Sequence, residues 1–281
     1  MISNYDKPEY KEIPKEKNFE TYFSAILPLF GEHFDTWIKA FSIKLKYPKK
    51  LAECDSIISR YIDEWKTLTE YSNHKIVIHV FKMLYSVQKD LDFTVLDNYD
   101  KNIILWTCLL HDIAKRGTPI CLQRDYIHPF QGARLVLHIF KRLGFFDCKK
   151  EIMESWDDIF EKATTKDKKG EECHDNSKLV EIYRILSEIL PENCLEKDVI
   201  VLVLLHQSLP SLPEFDYHIV LSPLYEEIPK YFSKRLLMLM KLIIKHDSLS
   251  YLIGGEFWEI KNVSDKFDAI INDILKNTTW T

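Results

Sequence analysis

Apolar residues recur at three- and four-residue spacing along nearly the whole chain, the period of an amphipathic helix. The pattern predicts helices over approximately 19–30, 33–46, 50–70, 75–89, 101–114, 129–143, 149–163, 177–190, 197–207, 232–252 and 263–276. Punctuation agrees with it at several ends. Gly117 and Pro119 follow the fifth segment, Pro129 sits in the first turn of the next, and Gly144 closes it. No alternating strand pattern with hairpin turns is found, and no fixed-period repeat. Two stretches read as loops. Lys162–Lys178 is strongly polar and is expected to be a mobile connection, while Leu209–Asp216 holds two prolines that a regular helix does not accommodate.

Composition narrows this to an all-α fold. The 281 residues contain only 7 glycines, which argues against an all-β chain or a phosphate-cradling loop, both of which use glycine at turns and close approaches. Hydrophobic residues at 46% and charged residues at 29% are globular rather than disordered proportions. A net charge of −5 argues against wrapping nucleic acid, which needs clustered cations. The stretch from Met1 to Glu20 has no apolar core for a signal peptide, and apolar runs such as Val199–Leu205 and Leu236–Met240 are too short to span a bilayer. The six cysteines (Cys54, Cys108, Cys121, Cys148, Cys173, Cys194) lack CxxC spacing and read as reduced, mostly buried thiols. A soluble, cytoplasmic protein with no membrane partner is expected.

Chemistry concentrates at the end of one apolar helix. From Ile103 to Leu110 nearly every residue is apolar, and His111-Asp112 then follow directly, with Lys115, Arg116 and Gly117 beyond. A carboxylate on such a helix is costly unless a metal or a partner compensates it. Those residues alone leave two readings open, a metal site or a helix that reaches the surface and ends in polar residues. Other positions repeat the pattern. His79 borders the apolar face shared by Ile76 and Met83, His206 ends the apolar run Val199–Leu205, His128 precedes Pro129 at a helix start, and Asp247 follows Leu236–Ile244. Several such coincidences point to a common site.

In that order, His79, then His111-Asp112, then Asp247, the chain resembles the HD-domain superfamily of metal-dependent phosphohydrolases. Leu109-Leu110-His111-Asp112-Ile113-Ala114-Lys115 is similar to the family's core motif, and His128-Pro129-Phe130-Gln131-Gly132-Ala133 to the extra-histidine motif of members with a second metal or an elaborated phosphate site. The resemblance covers about residues 71–252. It implies an HD-domain-like helical bundle there; outside it, the helical periodicity predicts an N-terminal helical extension over 1–70 packed on the core and a C-terminal helical tail over 253–281. The chain departs from the family pattern at Gln207, where members with a full two-metal set often carry a second histidine after the one matched by His206.

The resemblance implies that His79, His111, Asp112 and Asp247 ligate a divalent metal (Mn, Fe, Mg, Zn or Ni), with His128 and His206 as second-site ligands if a second ion binds. Asp112, Lys115 and His128 are the implied catalytic residues, and Lys115, Arg116, His128 and His206 the implied substrate contacts. The implied activity is hydrolysis of a nucleotide or related phosphoester by a metal-activated water. Arg116 also reads as an ordinary cation at a helix C-terminus. The Leu209–Asp216 loop is placed at the substrate rim by position only. Two other readings stay open: a di-iron HD-type oxygenase of a small polyol or phosphonate, and a non-catalytic helical binding protein that retains the fold. His246 adjoins Asp247 on the same helix, and only the family order selects Asp247 as the ligand. His174-Asp175, a second His-Asp pair, reads as solvated loop, and His33, His74, His138 and His218 as surface or structural residues.

Overall fold

The computed structural model of the chain describes residues 14–30, 34–38, 47–70, 74–119, 121, 125, 127–166, 170, 172–207, 228–251, 265, 268–269, 271–278 and 280. These residues form an all-α fold: α1 (Phe19–Phe23), α2 (Lys49–Ile58), α3 (Glu64–Glu70), α4 (Lys75–Gln88), α5 (Leu91–Thr94), α6 (Asn98–Leu110), α7 (His128–Arg142), α8 (Lys150–Ala163), α9 (Leu179–Ile189), α10 (Leu195–Leu205), α11 (Ile228–Tyr231) and α12 (Lys234–Tyr251). Residues 34–38 and 271–277 are also helical. The polar stretch expected to be a mobile connection instead contains an antiparallel hairpin, β1 (Thr164–Lys166) with β2 (Glu172–His174). Three-residue strands are too short to show an alternating pattern, which is why periodicity missed them. The Leu209–Asp216 loop, His33 and His218 lie outside the described residues.

Local chemistry moves several boundaries. Helix α6 begins at Asn98 because the Asp97 side chain caps it, accepting from Asp100 N at 2.9 Å. It ends at Leu110, so His111 and Asp112 lie in the turn beyond it rather than in its last helical turn. The expected helix over 50–70 breaks after Ile58, which lets Trp65 Nε1 donate to Asp55 Oδ1 at 2.9 Å. In one unbroken helix those residues would be about 15 Å apart along the axis. Helix α7 starts as expected, with Pro129 in its first turn. Gly144 closes it at φ 76°, with Gly144 N bonded to Lys141 O, Phe145 N bonded to Phe140 O, and the Phe140 and Phe145 rings stacked at 4.9 Å.

The core lies where five helices meet. Helix α10 packs against α6 and α7, and α12 packs against α4 and α6. Every residue of α10 is buried, which accounts for its unbroken apolar run. The N-terminal segment covers the far side of α6. Phe19 and Phe23 each meet Trp106 edge-on at 5.4 Å, and Trp106 Nε1 donates to Lys17 O. Buried Arg235 on α12 donates to Asp100 on α6 and, at 2.9 Å, to Asp198 on α10. That ion triad locks the three helices at the end opposite His111, since Asp100 lies three turns before it. Of the six cysteines only Cys54 and Cys108 are buried, fewer than expected. Among the described residues, no helix is long and apolar enough to cross a membrane.

Candidate metal centre

Five elements deliver six side chains to one buried point. His79 comes from the middle of α4, His111 and Asp112 from the turn after α6, His128 from the start of α7, His206 from the end of α10, and Asp247 from α12. None of the six is more than 9% exposed. The helices are brought close enough by Gly132 on α7. A Cβ there would stand 3.2 Å from Val203 Cγ1 on α10 and 3.6 Å from the His111 carbonyl.

Two overlapping ligand groups result. His79, His111 and Asp112 each offer an atom within 4.8 Å of the others, and so do Asp112, His128 and His206. Asp112 belongs to both. Asp247 Oδ1 approaches the first group from α12, at 2.9 Å from His79 Nε2 and 3.5 Å from His111 Nε2. His79 Nε2 and His111 Nε2 are 3.1 Å apart, and His128 Nε2 is 3.0 Å from Asp112 Oδ1. Neighbouring ligands at about 2.1 Å from a shared ion are themselves about 3 Å apart, so these spacings suit a common cation.

The tautomers agree. His111 Nδ1 faces Cys108 O at 3.0 Å, His128 Nδ1 faces Asp125 O at 2.5 Å, and His206 Nδ1 faces Val203 O at 2.7 Å. A carbonyl only accepts, so each Nδ1 carries the proton and donates, which leaves the Nε2 lone pair pointing inward. Without a cation these lone pairs face one another and two carboxylates. His206 Nε2 is the clearest case, buried with no hydrogen-bond partner among the described residues. A buried acceptor of that kind is what a metal ligand looks like before the ion is counted.

Charge in the cluster is unevenly held. Burial opposes ionisation of Asp112, yet Lys115, His111 and His128 keep its carboxyl well below the usual carboxylate range. Burial likewise opposes ionisation of Asp247, and His111 and His79 hold it low. His206 is pushed down to about 3 by burial and by His128 and His111. Burial lowers His79 despite Asp247 and Asp112, whereas the same two carboxylates outweigh burial at His111 and raise it. Near neutrality the two carboxylates and the imidazoles of His79 and His206 are therefore in the form that a divalent ion requires of its ligands.

Of the remaining sequence-predicted residues, Lys115 adjoins the cluster, with Nζ 2.8 Å from Asp112 Oδ2. Arg116 is engaged elsewhere. Its guanidinium takes Asp125 with two nitrogens, at 3.0 and 3.2 Å, and Glu172 on β2 with a third at 2.7 Å. His246 faces away from the ligand group, towards Ser86 and Asp90. Asp175 of the second His-Asp pair accepts from Ser177, His138 pairs with Asp157, and His74 stacks on Tyr47. Sequence reasoning missed Asp125. Its carboxylate receives the backbone and side chain of Arg116 while its carbonyl orients His128. It also missed the contact at 3.3 Å between Gln207 Nε2 and His128 Nε2. The polar Asp125 offered a signal in principle, but its role depends on a loop turning back on itself. Compared with family models, curated proteins and solved structures, the chain matches none.

Proposed function

We propose that the chain is an HD-domain-type, metal-dependent phosphohydrolase that hydrolyses a nucleotide-like phosphoester. One observation carries the reading: the residues in the order His79, His111-Asp112, Asp247 converge on one buried point, with Asp112 shared by a second group made with His128 and His206. Four imidazoles and two carboxylates are a hard-to-borderline donor set, suited to Mn, Fe, Mg, Zn or Ni. An ion bound there supplies Lewis acidity towards a phosphoryl oxygen and a bound water that ionises near neutral pH.

The protein's own residues do the rest. Asp112 stays ionised in a dry site because Lys115 and two imidazoles surround it, and it orients both ligand groups at once. Lys115 places its cation beside the carboxylate and offsets charge on a phosphoryl group. His128 either completes a second ligand group or, once Nε2 has taken up a proton, passes that proton to the leaving oxygen. Arg116 is assigned to loop architecture rather than to substrate, since Asp125 and Glu172 occupy its guanidinium.

The reading is tested by assaying the full chain, loaded with each of the five metals, on a panel of nucleotide and simple phosphoesters. Metal-dependent phosphate release that Asp112→Ala abolishes supports it. A protein that binds metal but releases no phosphate from any panel member contradicts it.

A further inference from the structure

Beside the ligand Asp247, a second buried polar cluster joins three elements without using the ion. Asp90 follows α4, and its Oδ2 accepts from both Lys245 Nζ at 2.7 Å and His246 Nε2 at 2.8 Å. Its Oδ1 caps α5 by accepting from Asp92 N at 2.9 Å. The other ring nitrogen of His246, Nδ1, is 2.9 Å from Ser86 Oγ on α4. His246 is 3% exposed and the Asp90 carboxylate lies beneath it, while Lys245 reaches in from the partly exposed side.

We infer that Asp90 and Ser86 are positioning residues for the metal centre, acting through His246 to hold α12 in the rotation that aims Asp247 at His79 and His111. The inference rests on the metal centre proposed above and adds a role for residues outside it. Consecutive helical residues are about 100° apart around the axis, so Lys245 and His246 meeting one carboxylate oxygen fix the rotation of α12. Asp247, one residue on, is then directed to the other side of that contact, where it stands 2.9 Å from His79 Nε2. Further along, Lys82 Nζ on α4 donates to Ser250 O at 2.7 Å and Ser250 Oγ donates to His246 O at 2.6 Å. Apolar packing alone fixes such a rotation poorly, because core side chains repack around small turns of a helix. A ligand set tolerates only a fraction of an ångström. A buried ionic network beside a ligand therefore serves registry more than stability.

The test uses the full chain and Co(II), read by competition with a chelator and by visible absorption, which reports ligand geometry. Asp90→Asn and Ser86→Ala are each expected to weaken Co(II) binding on the order of tenfold. Both should change the visible spectrum while far-ultraviolet circular dichroism stays constant, and Asp90→Glu should recover part of the affinity. Asp157→Asn, which removes a comparable carboxylate pair on α8, should leave both readouts unchanged. Wild-type affinity and spectrum in Asp90→Asn overturn the inference and leave the metal centre standing. If Asp90→Asn does not fold, Ser86→Ala decides by the same criterion. Wild-type protein that takes up no Co(II) overturns the metal centre and the positioning role together.

Discussion

Nε2 of His128 stands 3.0 Å from Oδ1 of Asp112, the residue common to both candidate ligand groups. The contact makes the two groups unequal. His79, His111 and Asp247 share one side of Asp112, while the other side depends on His128, which Gln207 also approaches, and on His206. His206→Ala is therefore expected to leave a tightly held ion in place and remove weaker second binding. His79→Ala should remove the tight one. Metal titration of both variants checks this, and equal loss in the two would mean a single undivided site.

Gly132 is required by closeness rather than by backbone conformation, since its added Cβ would press on Val203 at 3.2 Å. Gly132→Ala gains helix propensity but must push Val203 aside or part α7 from α10. We expect a net loss of about 1–2 kcal/mol in urea unfolding, with weaker second-ion binding because His128 and His206 move apart. A variant as stable as wild type would show that Val203 yields freely.

Arg116 is placed as a strut. Its partner Asp125 is buried but keeps the backbone N–H groups of residue 116 and Ile127, and the guanidinium is partly exposed, so Arg116→Ala should cost about 1–3 kcal/mol. Arg116→Lys should rescue little, because the contact to Asp125 uses two guanidinium nitrogens. Thermal unfolding measures both. An unchanged Tm in Arg116→Ala, with a raised KM for phosphoester, would return Arg116 to the substrate site.

Asp198 gives a pH dependence whose sign is opposite to that of an ordinary ion-paired carboxylate. Burial raises it to about 6 against the pull of Arg235. The unfolded value is about 4, so between about pH 4 and 6 the folded chain keeps a proton the unfolded chain has released. The stabilisation is present below that window and is lost as pH rises through about 6. Asp198→Asn cannot ionise, so its stability should gain on wild type as pH goes from 5 to 7.5. Denaturant unfolding across that range checks it, and a constant difference would show that Arg235 fully offsets the burial.

The helical content of the chain was legible because most helices bury one face and so repeat every three or four residues. What escaped was short or set by distant partners. Helix α5 is four residues long, each strand is three, and the break after Ile58 depends on Trp65 reaching Asp55. The cluster was legible for a related reason: an imidazole or carboxylate at the end of an apolar run is costly to place there without compensation. His246 and Asp247 could not be separated that way. Both lie beside apolar neighbours, and only the approach of Asp90 and Ser86 to one and of His79 to the other assigns their directions. The backbone carbonyls of Cys108, Asp125 and Val203, which set the imidazole tautomers, carry no side-chain signal.

Elemental analysis of the purified full chain after dialysis tests the central claim most directly. The account predicts at least one Mn, Fe, Mg, Zn or Ni ion retained per chain, and its loss in Asp112→Ala with helical content unchanged. A folded wild-type chain that retains no metal and takes up none when offered would contradict it.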